Sequence, residues 1–318
     1  MINLPFHLSI NIEEFLQEAE RLKTSILTTP LAPKEENQYR WEITLEKTYW
    51  GLTLADNPLS KKEMAKLLST PQLKKMTDHQ REVVEYANTI NYIRNEWTAT
   101  KKPITTRDVL HIYDLACREV FGSTTSYFKS KETEVGEILK YIESGKDHPI
   151  IKAGLIQIEI VKLSPFENGT GRTARLLSHL ILAKYGYDLR GLLCLEDYYR
   201  SDLVSLKNAS ISVELYKSAT IWLEYFSQGV VESLRKTNEK VRTMKSIQTL
   251  PSSFWKLNQR LQKIIDIMEN PNIKMTNKEV QKRFDVSQIT ASRDLAKLAS
   301  LGIILSHGKG RSVFYSKI

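Results

Sequence analysis

Residues 147–163, DHPIIKAGLIQIEIVKL, run without a break into residues 163–175, LSPFENGTGRTAR, and the reading of these two stretches decides the fold. The first carries apolar residues on nearly every side of a helix, so it predicts a central helix buried all round. The second puts two glycines and two arginines at the mouth of a further apolar run, RLLSHLILAK. A helix that starts after a glycine-rich turn presents unpaired backbone N–H groups and the positive end of its dipole, which suits phosphate. Gly169 and Gly171 let the backbone come close to a ligand, while Arg172 and Arg175, three apart, share a face of the first turn and can reach outer phosphates. The stretch has no His or Asp, and its one carboxylate is Glu167. A glycine turn whose arginines are solvated or paired is the plainer reading of so short a motif.

Outward from this centre the pattern stays helical. Periodicity predicts helices at 12–23, 38–54, 61–68, 79–95, 106–120, 133–143, 149–161, 169–184, 195–208 and 213–236, with no sustained strand pattern among them. Stops fall at NPLS (57–60), KKPITT (101–106) and ESGKDHP (143–149). At 318 residues, 41% hydrophobic and 26% charged, the chain has room for a sizeable core and two domains. Cys117 and Cys194 stand in no metal-ligand or redox spacing and imply a reducing, cytoplasmic setting. The first twenty residues lack a basic stretch leading into a long apolar one, and nowhere do eighteen apolar residues run together, so neither export nor a membrane span is expected. The histidines form no HxxxH or HxH pair, which argues against a metal site, and His179 reads as a hydrogen-bonded helix residue.

The net charge of +9 is not spread evenly. Residues 247–318 hold twelve Lys/Arg against five Asp/Glu, or +7, which leaves 34 against 32, or +2, for residues 1–246. A single polyanion-binding region fits this better than a generally cationic protein. After residue 236 the composition turns polar and basic, which places a linker at 237–250. Beyond it NQRLQKIIDIMEN is amphipathic, Thr276 can cap one helix and Ser287 the next, and IILSHGKGRSVFYSKI makes two β-rich runs around a Gly-Lys-Gly turn. Three helices followed by a basic hairpin resemble a winged helix-turn-helix at 251–318. That resemblance implies duplex DNA as partner, with the helix after Ser287 entering the major groove. Its apolar face is expected from Ile289, Leu295, Leu298 and Leu301. Gln288, Ser292, Arg293 and Lys297 are then left for contact, with Lys309 and Arg311 on the wing.

The wider stretch SPFENGTGRTAR resembles the Fic family motif, H-P-F-x-[D/E]-G-N-G-R-x-x-R, and the likeness extends over most of residues 38–230. GLTLADNPLSKKEMAKLL is similar to the family's inhibitory-helix segment (51–60 here), and YDLRGLLCLEDYYRSDLVSL and ATIWLEYFSQGV look like its closing helices. The resemblance implies a mainly α protein: a Fic-like helical bundle over residues 1–236 with a C-terminal winged helix-turn-helix domain. Fic enzymes typically transfer AMP from ATP to a protein hydroxyl. By the same resemblance Gly169, Thr170, Gly171, Arg172 and Arg175 take the nucleotide's phosphates, and Tyr198 and Tyr199 border its base or ribose.

The positions of chemistry have changed. The family's catalytic histidine is Ser164, the acidic residue that holds Mg²⁺ is Asn168, and the asparagine between the glycines is Thr170. The inhibitory glutamate position is Ala55, and FGSTTSYFKSKE between residues 120 and 133 looks too short for the family's target-binding flap. No residue is therefore assigned as catalytic and no metal as bound. ATP or another nucleotide is the expected ligand, with Mg²⁺ not tightly held. Three readings follow. The first is a pseudoenzyme that keeps a phosphate or nucleotide pocket and biases a DNA-binding domain. The second is a transferase of AMP or another phosphate-containing group with altered chemistry. The third is a non-catalytic, dimerising scaffold. A homo-oligomer, a protein partner and no membrane partner are expected.

Overall fold

Among the described residues, eleven α-helices follow one another before residue 244: α1 (Ile10–Thr28), α2 (Pro33–Thr53), α3 (Lys61–Ser69), α4 (Asp78–Trp97), α5 (Thr106–Phe121), α6 (Thr125–Ser144), α7 (Pro149–Leu163), α8 (Thr170–Lys184), α9 (Glu196–Ser201), α10 (Leu203–Tyr216) and α11 (Thr220–Thr243). The structure, a computed structural model, describes residues 5–69, 75–244, 257–268, 273–300, 303–308 and 313–317. Local chemistry sets several of these bounds. Thr77 with Gln80 and Thr105 with Asp108 form capping boxes at the starts of α4 and α5. At α7 Pro149 occupies the first turn, where its missing N–H costs nothing, and His148 accepts from the Ile150 N–H.

Three bounds differ from the periodicity. The helix expected at 195–208 is two helices, because Asp202 leaves helical geometry (φ −145°, ψ 87°) and caps α10 by accepting from Ser205 N at 2.9 Å. The helix expected at 213–236 is interrupted by Lys217 in the left-handed region (φ 51°) and resumes at Thr220. The helix expected at 133–143 begins at Thr125, so SYFKSKE forms its first turns and only residues 122–124 separate α5 from α6. No strand precedes Met275 among the described residues.

The core sits on α7. Ile150, Ile151, Leu155, Ile156 and Ile160 are all buried, which accounts for a sequence apolar on every side. Each such side chain stabilises the fold by about 1.5–3 kcal/mol relative to exposure. α8 lies against it, burying Ala174, Leu177, Leu180 and Ile181. α11 approaches over Gly154, where a Cβ would stand 2.9 Å from Leu223, and Trp222 donates its indole N–H to the Gly154 carbonyl at 2.8 Å. Beneath α8, Lys47, His179 and Asp188 form a fully enclosed cluster, with Lys47 Nζ 3.0 Å from His179 Nε2 and 3.1 Å from Asp188 Oδ1. Burial, followed by the Lys47 charge, lowers the His179 pKa to about 3, so the imidazole is neutral and structural, as its place in the sequence suggested.

The chain divides into two units, Met1–Thr28 with Glu42–Lys240, and Thr29–Trp41 with Val241–Ile318. Composition and periodicity place residues 29–41 in the helical domain and a linker from 237. α11 instead runs on to Thr243, and residues 245–250 lie outside the described residues. The second unit contains α12 (Gln259–Ile267), β1 (Met275–Thr276), α13 (Asn277–Phe284), α14 (Gln288–Ser300), β2 (Ile304–His307) and β3 (Phe314–Lys317). The strands form an antiparallel sheet in the order β1-β3-β2. Thr276 and Glu279 form a capping box on α13. The core combines Leu261, Ile264, Met268, Val280, Ala291, Leu295, Leu298 and Ile304. One expectation fails here. Ile289 is 65% exposed, and the inward face of α14 is Ala291, Leu295 and Leu298, spaced four and three apart. Leu301, Lys309 and Arg311 lie outside the described residues. No helix among the described residues is long and apolar enough to cross a membrane.

Candidate functional site

The turn between α7 and α8 is held from within. α7 ends at Ser164, which takes the left-handed conformation (φ 47°, ψ 62°) while its N–H donates to Ile160 O. Phe166 then drops into the core, 1% exposed, stacked on Tyr113 at 4.5 Å and Phe128 at 5.5 Å between ring centroids. Gly169 starts α8 at φ +76°, and a Cβ there would meet Cys117 Sγ at 2.9 Å, so both conformation and space demand glycine. Its carbonyl accepts from the Thr173 N–H and hydroxyl, at 2.9 and 3.1 Å. No side chain caps α8, which leaves its first N–H groups open.

The two arginines part company. Arg172 turns inward, 3% exposed, donating from Nη2 to Glu82 Oε1 at 3.2 Å and lying 5.2 Å from the Phe121 ring centre. Glu82 also accepts from Asn57 Nδ2 at 2.6 Å, so this pair ties the chain after α2 to α4 and α8. Their spacing in the sequence predicts that Arg172 and Arg175 share a face at the mouth of the turn. The Arg172 guanidinium is instead enclosed, between the buried Glu82 carboxylate and the ring of Phe121, which covers it from the surface. Arg175 stays half-buried and donates from Nη2 to the Gly51 carbonyl at 2.8 Å. Tyr86 packs closely on Gly51, where a Cβ would stand 2.6 Å from its hydroxyl oxygen.

Beside Arg175 opens a cleft of about 370 Å³, walled by Leu54, Ile158, Leu206 and Trp222 and edged by Gly171 and Lys207. Tyr199, one of the expected ligand contacts, lines it; it is 1% exposed and donates to Gln157 Oε1 at 3.0 Å. Burial raises its phenol pKa well above the ordinary value. Tyr198 packs instead on Tyr225 and over Gly229. Ala55 is exposed on the turn after α2, and it is Leu54 that reaches the cleft wall. Lys207, Gln157 and Trp222 were not legible as site residues, because nothing local distinguishes a cleft-lining lysine or tryptophan from any other.

On the outer side Ser164, Glu167 and Asn168 are exposed. The Ser164 hydroxyl lies 3.5 Å from Thr170 Oγ1, which donates to Phe166 O at 3.0 Å. Position 168 offers a neutral amide, and no three His, Cys, Asp or Glu side chains among the described residues gather as a metal site. In the second unit Gln288, Ser292 and Arg293 are exposed on α14 and Lys297 is half-buried. Asn277 Nδ2 donates to Ser292 Oγ at 2.7 Å, and Arg260 pairs with Asp294 at 2.6 Å, which fixes α14 on α13 and α12.

Residues 103–182, which include the whole turn, match the Fic/DOC family. The protein adenylyltransferase Fic of Aedes aegypti is 23% identical over 201 residues, covering 57% of this chain and 40% of that protein. The chain therefore spans well under half the length of that relative. A Fic family protein from Desulfovibrio desulfuricans G20 superposes with a TM-score of 0.64 at 14% identity, covering 99% of this chain and 98% of the other. A Fic protein from C. elegans does so with a TM-score of 0.60 at 16% identity over 71% of each chain. At such identities the structural likeness shows the fold, which is that of Fic proteins, and the chain is related to protein adenylyltransferases.

Proposed function

We propose that the helical unit is a Fic-type phosphate or nucleotide receptor without transfer chemistry, and that its occupancy biases DNA binding by a C-terminal winged-helix unit. The observation that carries this is Ser164. It stands where the family motif has its proton acceptor, and among the described residues its hydroxyl is hydrogen-bonded to no imidazole or carboxylate, its contact being Thr170 Oγ1 at 3.5 Å. A serine hydroxyl has no accessible basic form near neutral pH, and losing a general base typically costs on the order of a hundredfold to ten-thousandfold. Asn168 compounds the loss by offering no charge to a metal.

What remains supports binding. The uncapped N–H groups at the start of α8 suit phosphate, Arg175 and Lys207 supply positive charge, and the apolar walls of the cleft suit a base. Its volume falls in the range of small-molecule sites. Arg172 serves a structural purpose in this reading, holding Glu82 and through it Asn57. For the second unit, the support is the order helix, strand, helix, helix, hairpin, the exposed Gln288, Ser292 and Arg293, and the +7 charge of residues 247–318. Exposed Ile289 adds an apolar contact suited to a thymine methyl group.

Titration of the intact protein with ATP, ADP and AMP tests the reading. Weak binding is expected, indifferent to Mg²⁺ and lost in Arg175→Ala, together with salt-dependent retention on duplex DNA that shifts when nucleotide is present. Transfer of labelled AMP to any protein, abolished by Arg175→Ala, would sink the loss of chemistry. Absence of binding by every nucleotide and by inorganic phosphate would leave the scaffold reading.

A further inference from the structure

α10 is apolar on two opposite sides. Its inner side buries Ala209 and Val213 in the bundle. On its outer side Val204, Ile211 and Leu215 are 69%, 50% and 68% exposed, with exposed Asn208 completing the stripe. A surface helix ordinarily turns polar residues outward, and one that is apolar all round is normally covered. Residues 204, 208, 211 and 215 are spaced four, three and four, the alternating seam positions of a heptad. In that frame Lys207 and Glu214, seven apart, occupy the same flanking position beside the seam.

Those two charges decide what covers the helix. Lys207 makes no ion pair among the described residues, and Glu214 meets only Lys217, three residues on and 76% exposed. About a two-fold axis perpendicular to the helix, α10 meets its own copy antiparallel and like flanks face one another. Lys207 of each copy then stands opposite Glu214 of the other, so the pair forms twice. The same operation sets Asn208 against Ile211 and Val204 against Leu215 of the second copy. An acidic or a basic partner would gain from one charge and lose from the other. The face is self-complementary.

We propose that the outer face of α10 is the seam of a symmetric dimer of this chain. Because Lys207 and Ile211 also line the cleft, the seam runs along the cleft's rim. A fourteen-residue helix pair covers less than the roughly 800 Å² per partner of a standard interface, so dissociation on the order of micromolar is expected.

Sedimentation equilibrium of the full chain tests this, run from about 1 to 100 µM. The mass should rise from that of a 36.7 kDa monomer towards twice that value. Ile211→Asp should leave a monomer with unchanged circular dichroism, since the position is exposed. Lys207→Glu and Glu214→Lys should each weaken the dimer about tenfold by setting like charges opposite, and the double exchange should restore it. Asn208→Leu should tighten it by removing a polar group from the seam. A monomer at every concentration overturns the proposal, as does a dimer indifferent to Ile211→Asp or to the charge exchange. So does a monomeric chain that captures a different protein through Ile211.

Discussion

The inner and outer halves of the turn from Ser164 to Arg175 have opposite physical status. Inside, Phe166 is stacked between two rings, Gly169 fits only because it lacks a Cβ, Arg172 is paired in the core and Thr173 closes on the Gly169 carbonyl. Outside, Ser164, Glu167, Asn168 and Gly171 are exposed, and the Ser164–Thr170 contact is long. The shape of the turn thus belongs to the residues packed inside it. The exposed side chains are carried by that shape and contribute little to it. The exposed side chains of this turn can therefore change without moving the backbone.

The sharpest test of this contrast is Phe166→Ala against Asn168→Ala. The first should cost about 3–5 kcal/mol in urea denaturation, by lost burial and a cavity between Tyr113 and Phe128. The second should stay within about 0.5 kcal/mol. Comparable losses would erase the distinction between the halves. Next in size is the Arg172–Glu82 pair. Arg172→Met should cost about 3 kcal/mol, because it leaves a buried carboxylate uncompensated, and adding Glu82→Gln should recover part of that, since Asn57 can still donate to the amide oxygen. A double variant no better than the single would mean that packing, not charge, holds Arg172 inside.

The smallest effect concerns Glu85 on α4. Burial first, and Glu119 second, raise its pKa to about 7. Its folded pKa lies above the unfolded value, so folding favours the protonated form. The cost to stability is absent below the unfolded pKa of 4.5, grows between there and about 7, and is complete above it. Glu85→Gln should therefore stabilise the protein at pH 8, by about 1 kcal/mol once solvent screening of its exposed part is allowed for, and change nothing at pH 4. Equal effects at both pH values would show that the carboxyl does not titrate near neutrality.

Legibility followed range of interaction. α7 was readable because apolar side chains on every face leave a helix no stable place but the core. The starts of α5 and α13 were readable because their caps are local, with Thr105 and Thr276 three residues from their partners. The splits at Asp202 and Lys217 were missed because apolar periodicity runs through both points, and only a cap and a left-handed residue interrupt the backbone there. Ile289 was misplaced because a short helix with apolar residues on two sides does not reveal which side the rest of its unit will cover.

At the site the division is the same. The amino-acid sequence by itself determined that a glycine-led helix start follows a buried helix, and that a serine and an asparagine, neither of them charged, stand at 164 and 168 before it. Residue identity alone settles proton affinity and charge. The destinations of the two arginines were a tertiary matter. Three residues apart on one helix, they differ because Glu82 and Phe121 lie on one side and the Gly51 carbonyl on the other, and those partners come from segments about fifty to more than a hundred residues away. A guanidinium goes where its charge is met, and only the packed chain brings the carboxylate and the carbonyl within reach.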